Sequence, residues 1–529
     1  MLPTKPESTT LDPEEFLRRA KSGALPEGSV LEGIVLDGMD LRGAGLRGSV
    51  LRRVLLKGAD LSGADLSDIA WTDVDLTNAS LTGATLERVS LRKCILEGVR
   101  GFPKSCREFR MRQARLGSLD LAGVDLEDAV LTEADASGAD FRKANLRNAK
   151  LGGAKLPGAR LDGADLSFAN LVEADLTGAS LEGANLTDAA LEKAKLRKAR
   201  LNGAVLLRAD LSEAELDASL LREADLRGAI LRGAGFSGMD FSGLNLAGAN
   251  LSSADLGESR FAGCDLTDAE FSGARAVRAD FGGAKLVAAI CVDTDFTEAR
   301  FPKTTLENIV FENCTLAGAD FRSATLSACV LDGNDFTSTR IGATRFVDCS
   351  MEAVRMSRMN LAGCDFSHSD LTGSAIAESD LSGATLTGAD FTGADLSASR
   401  LAGIQGVGTV FTKAKLKGAD LAGSRLTSAW FQEADLAGAN LSDCVLEKAE
   451  FVRCAALRTL FRKSRLCYSD LSYGRFDGSD FSGADLTGVK VHGVVADEAT
   501  WAGARWSKVE PTDPELLEAE TWRPPPPQK

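Results

Sequence analysis

Hydrophobic side chains return every five residues along almost the whole chain. The stretch from Leu161 to Asn185 reads LDGAD LSFAN LVEAD LTGAS LEGAN, with a leucine at each fifth position, usually an alanine two residues before it and Asp or Asn directly before it. The same frame continues from Leu31 to about Arg505. Because a helix repeats its apolar face every three to four residues, this pattern disfavours a helical fold. It predicts an all-β repeat structure.

A period of five requires one bend in each unit. Side chains alternate between the two faces of an extended strand, so residues five apart face opposite sides unless the chain turns between them. The leucines must share one buried face, because an exposed leucine column would be an interaction hazard. Glycine is frequent two residues after the leucine, as at Gly163 and Gly183, and it suits a corner with positive φ. The repeat therefore predicts a chain wound into stacked coils.

Phenylalanine replaces leucine at intervals of twenty residues in two parts of the chain. If four units make one coil, each set forms a ladder of rings on one side of the stack, packed at the interstrand distance. The two sets are Phe241, Phe261, Phe281, Phe301 and Phe321, and Phe391, Phe411, Phe431 and Phe451.

The motif itself is specific. GADLSGADLSD (Gly58 to Asp68) and GADFTGADLSA (Gly388 to Ala398) follow the pattern A(D/N)LXX, which resembles the pentapeptide-repeat family. The resemblance covers most of the chain. It implies an all-β solenoid, a right-handed quadrilateral β-helix with four pentapeptides per coil and about 24 coils here. The Phe spacing agrees with four units per coil.

Short helices are expected at both ends, since solenoids need caps over their open edges. We expect an N-terminal tail and capping helix over 1–30, a β-helix over 31–506 that is irregular at 101–115 and 405–409, and a C-terminal capping helix and Pro-rich tail over 507–529. A second possible role for the C-terminal helix is dimerisation, as in some family members. The residues expected to close the ends are Phe16, Leu17, Trp501, Trp506, Leu516 and Leu517.

The stretch GFPKSCREFRMRQAR (Gly101 to Arg115) interrupts the pattern with a basic cluster. One interpretation is a bulging loop that docks an acidic partner. The alternative is a relaxed corner with solvated arginines, since charge runs are usually solvated faces. The candidate partner-binding residues are Phe102, Lys104, Arg107, Phe109, Arg110, Arg112 and Arg115.

The overall charge is acidic, with 61 Lys and Arg against 76 Asp and Glu and a net charge of −15. This balance disfavours indiscriminate binding to nucleic acid or to anionic membranes, so we expect no direct nucleic-acid binding. The N-terminus MLPTKPESTT lacks the apolar core of a signal peptide, and no later stretch approaches a membrane span. We therefore expect no membrane insertion and a cytoplasmic location.

Catalytic constellations are missing from the sequence. The two histidines are His368 and His492. The string Ser367-His368-Ser369-Asp370 does not predict a triad, because adjacent residues on an extended segment point apart. No His/Cys pair has zinc spacing, and no phosphate-binding loop occurs. We expect no enzyme activity, no cofactor and no metal site.

The favoured function is a non-catalytic, rigid protein-interaction scaffold or adapter, as a monomer or an end-to-end dimer, with a protein partner that the sequence does not identify. The stretch PEEFLRRAKSGA (Pro13 to Ala24) is similar to accessory proteins of bacterial type VI secretion clusters. The alternative is a DNA-mimicking modulator of type II topoisomerase (gyrase), a role that the family resemblance implies. DNA mimicry needs a continuous acidic wall, for which the C-terminal half is the candidate.

Overall fold

The structure, a computed structural model, describes residues 11–216 and 223–521. Residues 1–10 of the expected N-terminal tail and the Pro-rich end at Pro524 to Pro527 lie outside these residues. The chain forms two compact units, which we call unit 1 and unit 2. Unit 1 comprises Met1–Arg260 and Cys264–Glu270, and unit 2 comprises Phe261–Gly263 and Phe271–Lys529.

Regular elements are short. Unit 1 begins with helix α1, Pro13–Ser22, and unit 2 ends with helix α2, Pro514–Thr521. The strands of unit 1 are β1 Val30–Glu32, β2 Val50–Arg52, β3 Ala70–Thr72, β4 Ser90–Arg92, β5 Lys195–Leu196 and β6 Glu215–Leu216. Those of unit 2 are β7 Lys285–Val287, β8 Ile290–Val292, β9 Thr305–Glu307, β10 Val310–Glu312, β11 Thr325–Ser327 and β12 Arg345–Val347.

Parallel pairing in unit 1 joins residues twenty apart. Strands β1 to β4 form one sheet in sequence order, in which Leu31 lies opposite Leu51 and Trp71 opposite Leu91. Where no strand is long enough to be named, single bridges continue the register, as between Asp165 and Asn185. Each coil of unit 1 therefore contains four pentapeptides.

Unit 2 has the same register. Its strands form a sheet in the order β12-β11-β9-β7 and a pair β10-β8, and Leu306 lies opposite both Leu326 and Leu286. Single bridges continue to Lys490 and Glu510. The predicted all-β solenoid with four pentapeptides per coil and a short helix at each end is confirmed.

The interior of each coil is filled by the leucine of every unit and by the alanine two residues before it. Leu161 and Ala164 are fully buried, as are nearly all their equivalents. The corner residue two positions after the leucine has positive φ, 65° at Gly163 and 58° at Glu173. Left-handed backbone at each corner explains the frequency of glycine there.

The phenylalanines of unit 2 stack in two ladders. Ring centroids are separated by 4.9, 5.1 and 4.8 Å along Phe261, Phe281, Phe301 and Phe321. They are separated by 5.5, 5.1 and 4.7 Å along Phe391, Phe411, Phe431 and Phe451. Phe241, in unit 1, is also buried. The two ladders occupy column positions ten residues out of phase, so they line opposite sides of the four-sided coil.

Helix α1 packs on the first coil. Asp12 caps it by accepting hydrogen bonds from the backbone N–H groups of Glu14 and Glu15. Phe16 and Ala20 are buried, and Leu17 is half-buried. The carbonyl of Ala20 accepts a hydrogen bond from the N–H of Gly45 at 2.9 Å. The last turn of α1 thus supplies the acceptor that a preceding coil would otherwise provide.

The C-terminal end differs from its expected closed form. Trp501 stacks on Phe481 at 4.4 Å between ring centroids but is only half-buried. Trp506 packs on Trp501 at 4.9 Å between ring centroids but is 45% exposed, and Leu516 is 48% exposed, so neither is buried as a closed end would require.

The orientation of α2 explains the exposure of Leu516. Glu520 of this helix accepts a hydrogen bond from the Tyr473 hydroxyl and lies 3.4 Å from His492 Nε2. Leu517 is the half-buried leucine of the helix, and it faces Gly493 at the corner of the coil.

The stretch 405–409 keeps the regular register, so the irregularity predicted there is absent. Gln405 bridges Thr385 and Arg425. Gly406 takes the column position, and a Cβ atom there would lie 2.7 Å from Thr409 Oγ1 and 2.9 Å from Leu426 Cδ2. These neighbouring side chains occupy the space of the missing leucine.

Candidate functional site

The stretch 101–105 departs from the register. Ser105 bridges Asp125 in the following coil, but within the described residues no bridge joins it to Thr85 in the preceding one. Gly101 has a φ of 72°, and a Cβ atom there would lie 2.6 Å from Thr82 Cα. The backbone therefore approaches the preceding coil so closely that only glycine fits.

The two phenylalanines of this stretch face the core. Phe109 is completely buried in the position usually held by alanine. Phe102 is half-buried, and its ring centroid lies 5.8 Å from that of Phe109. The prediction of Phe109 as a partner-binding residue was wrong, because its ring has no exposed surface. The alternation of side chains places Phe109 inside, whereas the basic residues around it drew attention to the surface.

Most cations of the stretch are paired with neighbouring coils. Arg107 binds Asp125 at 2.6 Å and Glu127 at 3.1 Å. Two further ion pairs join Arg112 to Glu133 and Arg115 to Glu97, and Lys104 Nζ donates a hydrogen bond to the carbonyl of Ala122. The arginine beside Asp125 helps to hold the pKa of that carboxyl below its usual value, against the opposing effect of burial.

Arg110 is exposed, and no ion pair joins it to a carboxylate in the part of the chain that the structure describes. Its ladder neighbours are Ser90 and Val130. Among the described residues, the basic stretch thus offers an acidic partner two cations without an ion pair, Lys104 and Arg110, beside three arginines that are already neutralised locally.

Outward side chains are ordered as strictly as the core. The residue before each leucine points outward and bridges its equivalents twenty residues away, so each side of a coil stack carries a ladder that we call a wall. One wall of unit 1 reads Asp135, Lys155, Asp175, Lys195, and one wall of unit 2 reads Asp280, Arg300, Asp320, Arg340. Opposite charges alternate at about 4.8 Å. Writing the sequence in rows of twenty would have found these walls.

Nearby arginines pair with outward aspartates of the walls. Asp140 pairs with Arg142 at 2.6 Å and with Arg160 at 3.4 Å. The guanidinium of Arg142 holds the pKa of Asp140 below its usual value. Much of the formal negative charge of the chain is therefore compensated at the surface rather than available to a partner.

The side chains of residues 367–370 do not come together as a catalytic triad would require. Ser369 is buried and donates to the carbonyl of Phe346 at 3.0 Å, Ser367 donates to Asp365, and His368 is exposed at a corner. Among the described residues, no group of three or more His, Cys, Asp or Glu side chains is placed to hold a metal ion. No helix in the described ranges is long and apolar enough to cross a bilayer.

The family is established by comparison. The profile of the family described as Pentapeptide repeats (8 copies) matches residues 59–98, adjoining or overlapping segments over 110–456, and 459–495. The chain belongs to this family, and the predicted resemblance is confirmed. A comparison with curated proteins gave no match.

Several solved structures are similar over parts of this chain. Full-length QnrB1, a plasmid-mediated fluoroquinolone resistance protein, is 19% identical, with 49% of this chain and 93% of QnrB1 covered and a TM-score of 0.16. HetL, a pentapeptide repeat protein involved in heterocyst differentiation regulation from the cyanobacterium Nostoc sp. strain PCC 7120, is 26% identical, with 58% and 96% covered and a TM-score of 0.15. Rfr23 from the cyanobacterium Cyanothece 51142 is 19% identical, with 31% and 90% covered and a TM-score of 0.13.

Proposed function

We propose that the chain is a non-catalytic scaffold or adapter that binds protein partners through its outward walls. The observation that carries this proposal is the bridging of outward residues at a constant spacing of twenty, as in Asp135, Lys155 and Asp175. A packed interior holds these side chains at fixed distances. Such a surface is preorganised for contact with another protein, because little ordering remains to be done on binding.

The absence of catalysis belongs to the same proposal. Column residues such as Leu166 and Phe281 are fully buried and fill the space where a cofactor would need a cavity. A depression of 560 Å³ beside Arg458 and Arg475 is open to solvent, unlike the enclosed pockets in which reactive groups are usually tuned.

We place the scaffold in the cytoplasm. All eleven cysteines are free, and Cys94 and Cys454 are among those that are buried. A reducing compartment suits a chain with this many thiols.

A link to type VI secretion stays a prediction. The residues that suggested it, Pro13 to Ala24, contain helix α1, whose buried Phe16 and Ala20 pack on the first coil. End capping accounts for these residues without a secretion partner, so only co-purification with secretion components would support the link.

The test of the scaffold proposal is affinity purification of the tagged full chain from cells that naturally produce it, with quantitative mass spectrometry. We expect one or a few proteins to be enriched in a saturable way, and to be competed by untagged chain. The same experiment with size-exclusion chromatography separates the monomer from the end-to-end dimer. Absence of any competable protein would overturn the proposal.

DNA mimicry is the alternative function. It is favoured by carboxylates that neighbour each other along one wall of unit 2, Asp370 beside Asp390 and Glu450 beside Asp470. It is disfavoured because Val410 and Trp430 separate these two pairs, whereas a duplex presents an unbroken row of phosphates. A gyrase supercoiling assay with the purified chain distinguishes the two. Inhibition or protection at low micromolar concentration supports mimicry, and no effect supports the scaffold.

A further inference from the structure

We propose that one wall of unit 2 is a docking surface for a protein segment whose apolar side chains are flanked by Lys and Arg. The proposal rests on the scaffold function and identifies the surface and the chemistry of the partner. We call this surface the 290–470 wall. Its outward residues are Ile290, Val310, Val330, Ser350, Asp370, Asp390, Val410, Trp430, Glu450 and Asp470.

The 290–470 wall is one continuous ladder. Every residue in it bridges the next, from Ile290 and Val310 to Glu450 and Asp470. None of its ten positions is Lys or Arg. An aliphatic block, a pair of carboxylates, an apolar block and a second pair of carboxylates follow each other along it.

The apolar blocks are open to solvent. Ile290 is 45% exposed, Val330 39% and Trp430 44%. Val310, between Ile290 and Val330, and Val410, beside Trp430, are half-buried. Contiguous exposed apolar side chains with a polar surround are typical of interaction sites. Tryptophan is also among the residues that contribute most to binding energy when an interface covers them.

The carboxylates of the wall lack cations. Among the described residues, no ion pair involves Asp370, Asp390, Glu450 or Asp470. Their contacts are hydrogen bonds from neutral groups, such as the 2.8 Å bond from Thr392 N–H to Asp390 and the 2.9 Å bond from Gln432 Nε2 to Glu450.

Other walls of unit 2 differ in this respect. Asp380 lies 3.7 Å from Arg400, and Asp395 lies 3.8 Å from Lys415. The repeat can therefore supply a cation one coil away from an outward aspartate. On the 290–470 wall this occurs only at its end, where Lys490 bridges Asp470; the neighbours of Asp370, Asp390 and Glu450 along the ladder are not cations.

The flanking corners add little positive charge. The corner residues on either side of the ten wall positions include three cations, Lys413, Lys448 and Arg453. Lys413 lies 3.9 Å from Glu433, and the guanidinium of Arg453 lies over the Tyr473 ring at 5.2 Å. Lys448 is exposed at the edge of the wall. Glu312 and Asp332 also stand at the flanking corners, whereas Glu447 there is paired with Arg465. Carboxylates outnumber cations across the wall and its corners.

These features define the occupant. Bridged carboxylates at about 4.8 Å, such as Asp370 and Asp390, repel each other unless a cation lies between them. A segment that places Lys or Arg at both carboxylate pairs and apolar groups at Val330 and Trp430 would neutralise the carboxylates and cover the exposed apolar side chains. Nine coil steps span about 43 Å, the length of an α-helix of about 29 residues.

The test uses a defined probe and the full chain. The probe is a fluorescein-labelled peptide of about 28 residues, built from leucine at helical spacing with lysine between. Two peptides serve as controls, one with the same composition in scrambled order and one with glutamate in place of lysine. Binding is measured by fluorescence anisotropy. We expect the Leu–Lys peptide alone to bind, and to bind more weakly at high salt.

Wall variants locate the bound peptide. Trp430→Ala and the double variant Asp370→Asn with Asp390→Asn should each weaken binding by about tenfold or more. Asn retains the acceptor for the corner N–H, so the coil is undisturbed, and circular dichroism checks this. Matched controls are Trp506→Ala, with nearly equal exposure, and Asp380→Asn, an ion-paired aspartate of another wall. Both should leave binding unchanged.

Four results would overturn the inference. One is no binding of the Leu–Lys peptide at about 100 μM, far weaker than specific association. Another is equal weakening by wall and control variants. A third is loss of a dimer of the chain itself in the wall variants, which would make a second copy the occupant. If native partners are captured but ignore the wall variants, the inference fails while the scaffold function stands. If the peptide binds at the wall but no native partner is captured, the scaffold function fails, while the wall remains a binding surface for a segment of this chemistry.

Discussion

The rings of Phe281 and Phe301 lie 5.1 Å apart and within 3° of parallel, although the two residues are twenty positions apart in sequence. Phe281 also contacts Phe261 at 4.9 Å and meets Phe271 and Phe296 edge-on. One side chain therefore packs against rings of its own coil and of the coils on both sides, and local stability in unit 2 depends on such contacts.

Replacing Phe281 by alanine should destabilise its own coils by about 3–5 kcal/mol, because the cavity would be surrounded by rings that cannot collapse into it. Hydrogen exchange should increase near residues 261–301 and much less in distant coils, since repeats contact mainly their neighbours. Phe168→Ala, at an exposed corner, is the control and should change little. A uniform loss of protection along unit 2 would contradict the prediction.

Two glycines with positive φ should respond differently to alanine. At Gly183 a Cβ atom would meet nothing within 4 Å, so Gly183→Ala should cost only the backbone strain of about 1 kcal/mol. At Gly101 it would lie 2.6 Å from Thr82 Cα, and Gly101→Ala should cost clearly more. Urea unfolding of the two variants measures the difference, and equal costs would show that the chain at 101–105 can move away from Thr82.

Loss of the α1 contact should expose the first coil. Phe16→Ala removes the largest buried side chain of the helix, so the hydrogen bond from Gly45 N–H to Ala20 should open more often. We expect faster amide exchange at Gly45 by NMR, whereas Arg18→Ala, whose side chain is mostly exposed, should leave it unchanged. Unaltered exchange in Phe16→Ala would mean that α1 does not protect this edge.

Cysteine alkylation tests how well the core is filled. Burial raises the pKa of Cys94 and Cys444 to about 12, so their thiols stay neutral near pH 8 and should not react with iodoacetamide in the folded chain. Cys467 is half-buried and should react first, at a rate that rises with pH as the thiolate fraction increases. Peptide mapping before and after denaturation measures this order. Early labelling of Cys94 would indicate an open interior.

Much of the fold could be predicted from the sequence, because one local pattern is repeated in every coil. Leucine and the preceding alanine must both face inward, and the twenty-residue Phe interval gives four units per coil. The regularity at 405–409 could not be predicted, because Leu426, which helps Thr409 to fill the space at Gly406, lies twenty residues away in sequence. The exposure of Leu516 depends on the contacts of Glu520 with Tyr473 and His492, which lie far away in sequence.

The candidate site was harder to predict. The basic stretch drew attention because its charges are adjacent in sequence, but Arg107 and Arg112 are paired with carboxylates in the next coil. The 290–470 wall was missed because its residues are twenty apart. Asp370 and Asp390 become neighbours only when the chain is wound.

Charge reversal separates the basic stretch from the wall. Arg110→Glu should leave capture of a native partner unchanged if the wall is the docking surface, and the chain should remain folded because no ion pair is lost. Arg107→Glu would also remove the contacts with Asp125 and Glu127, and it should destabilise that corner slightly, as exposed ion pairs contribute little. Loss of partner capture in Arg110→Glu would instead favour the basic stretch as the docking surface.

The most direct measurement is photo-crosslinking in cells that naturally produce the chain, with p-benzoylphenylalanine replacing either Trp430 or Trp506. The two positions are matched, at 44% and 45% exposure. A chain that functions by docking proteins on the 290–470 wall should give discrete crosslinked protein products from position 430 and not from position 506. No product from position 430, or the same products from both positions, would contradict the account.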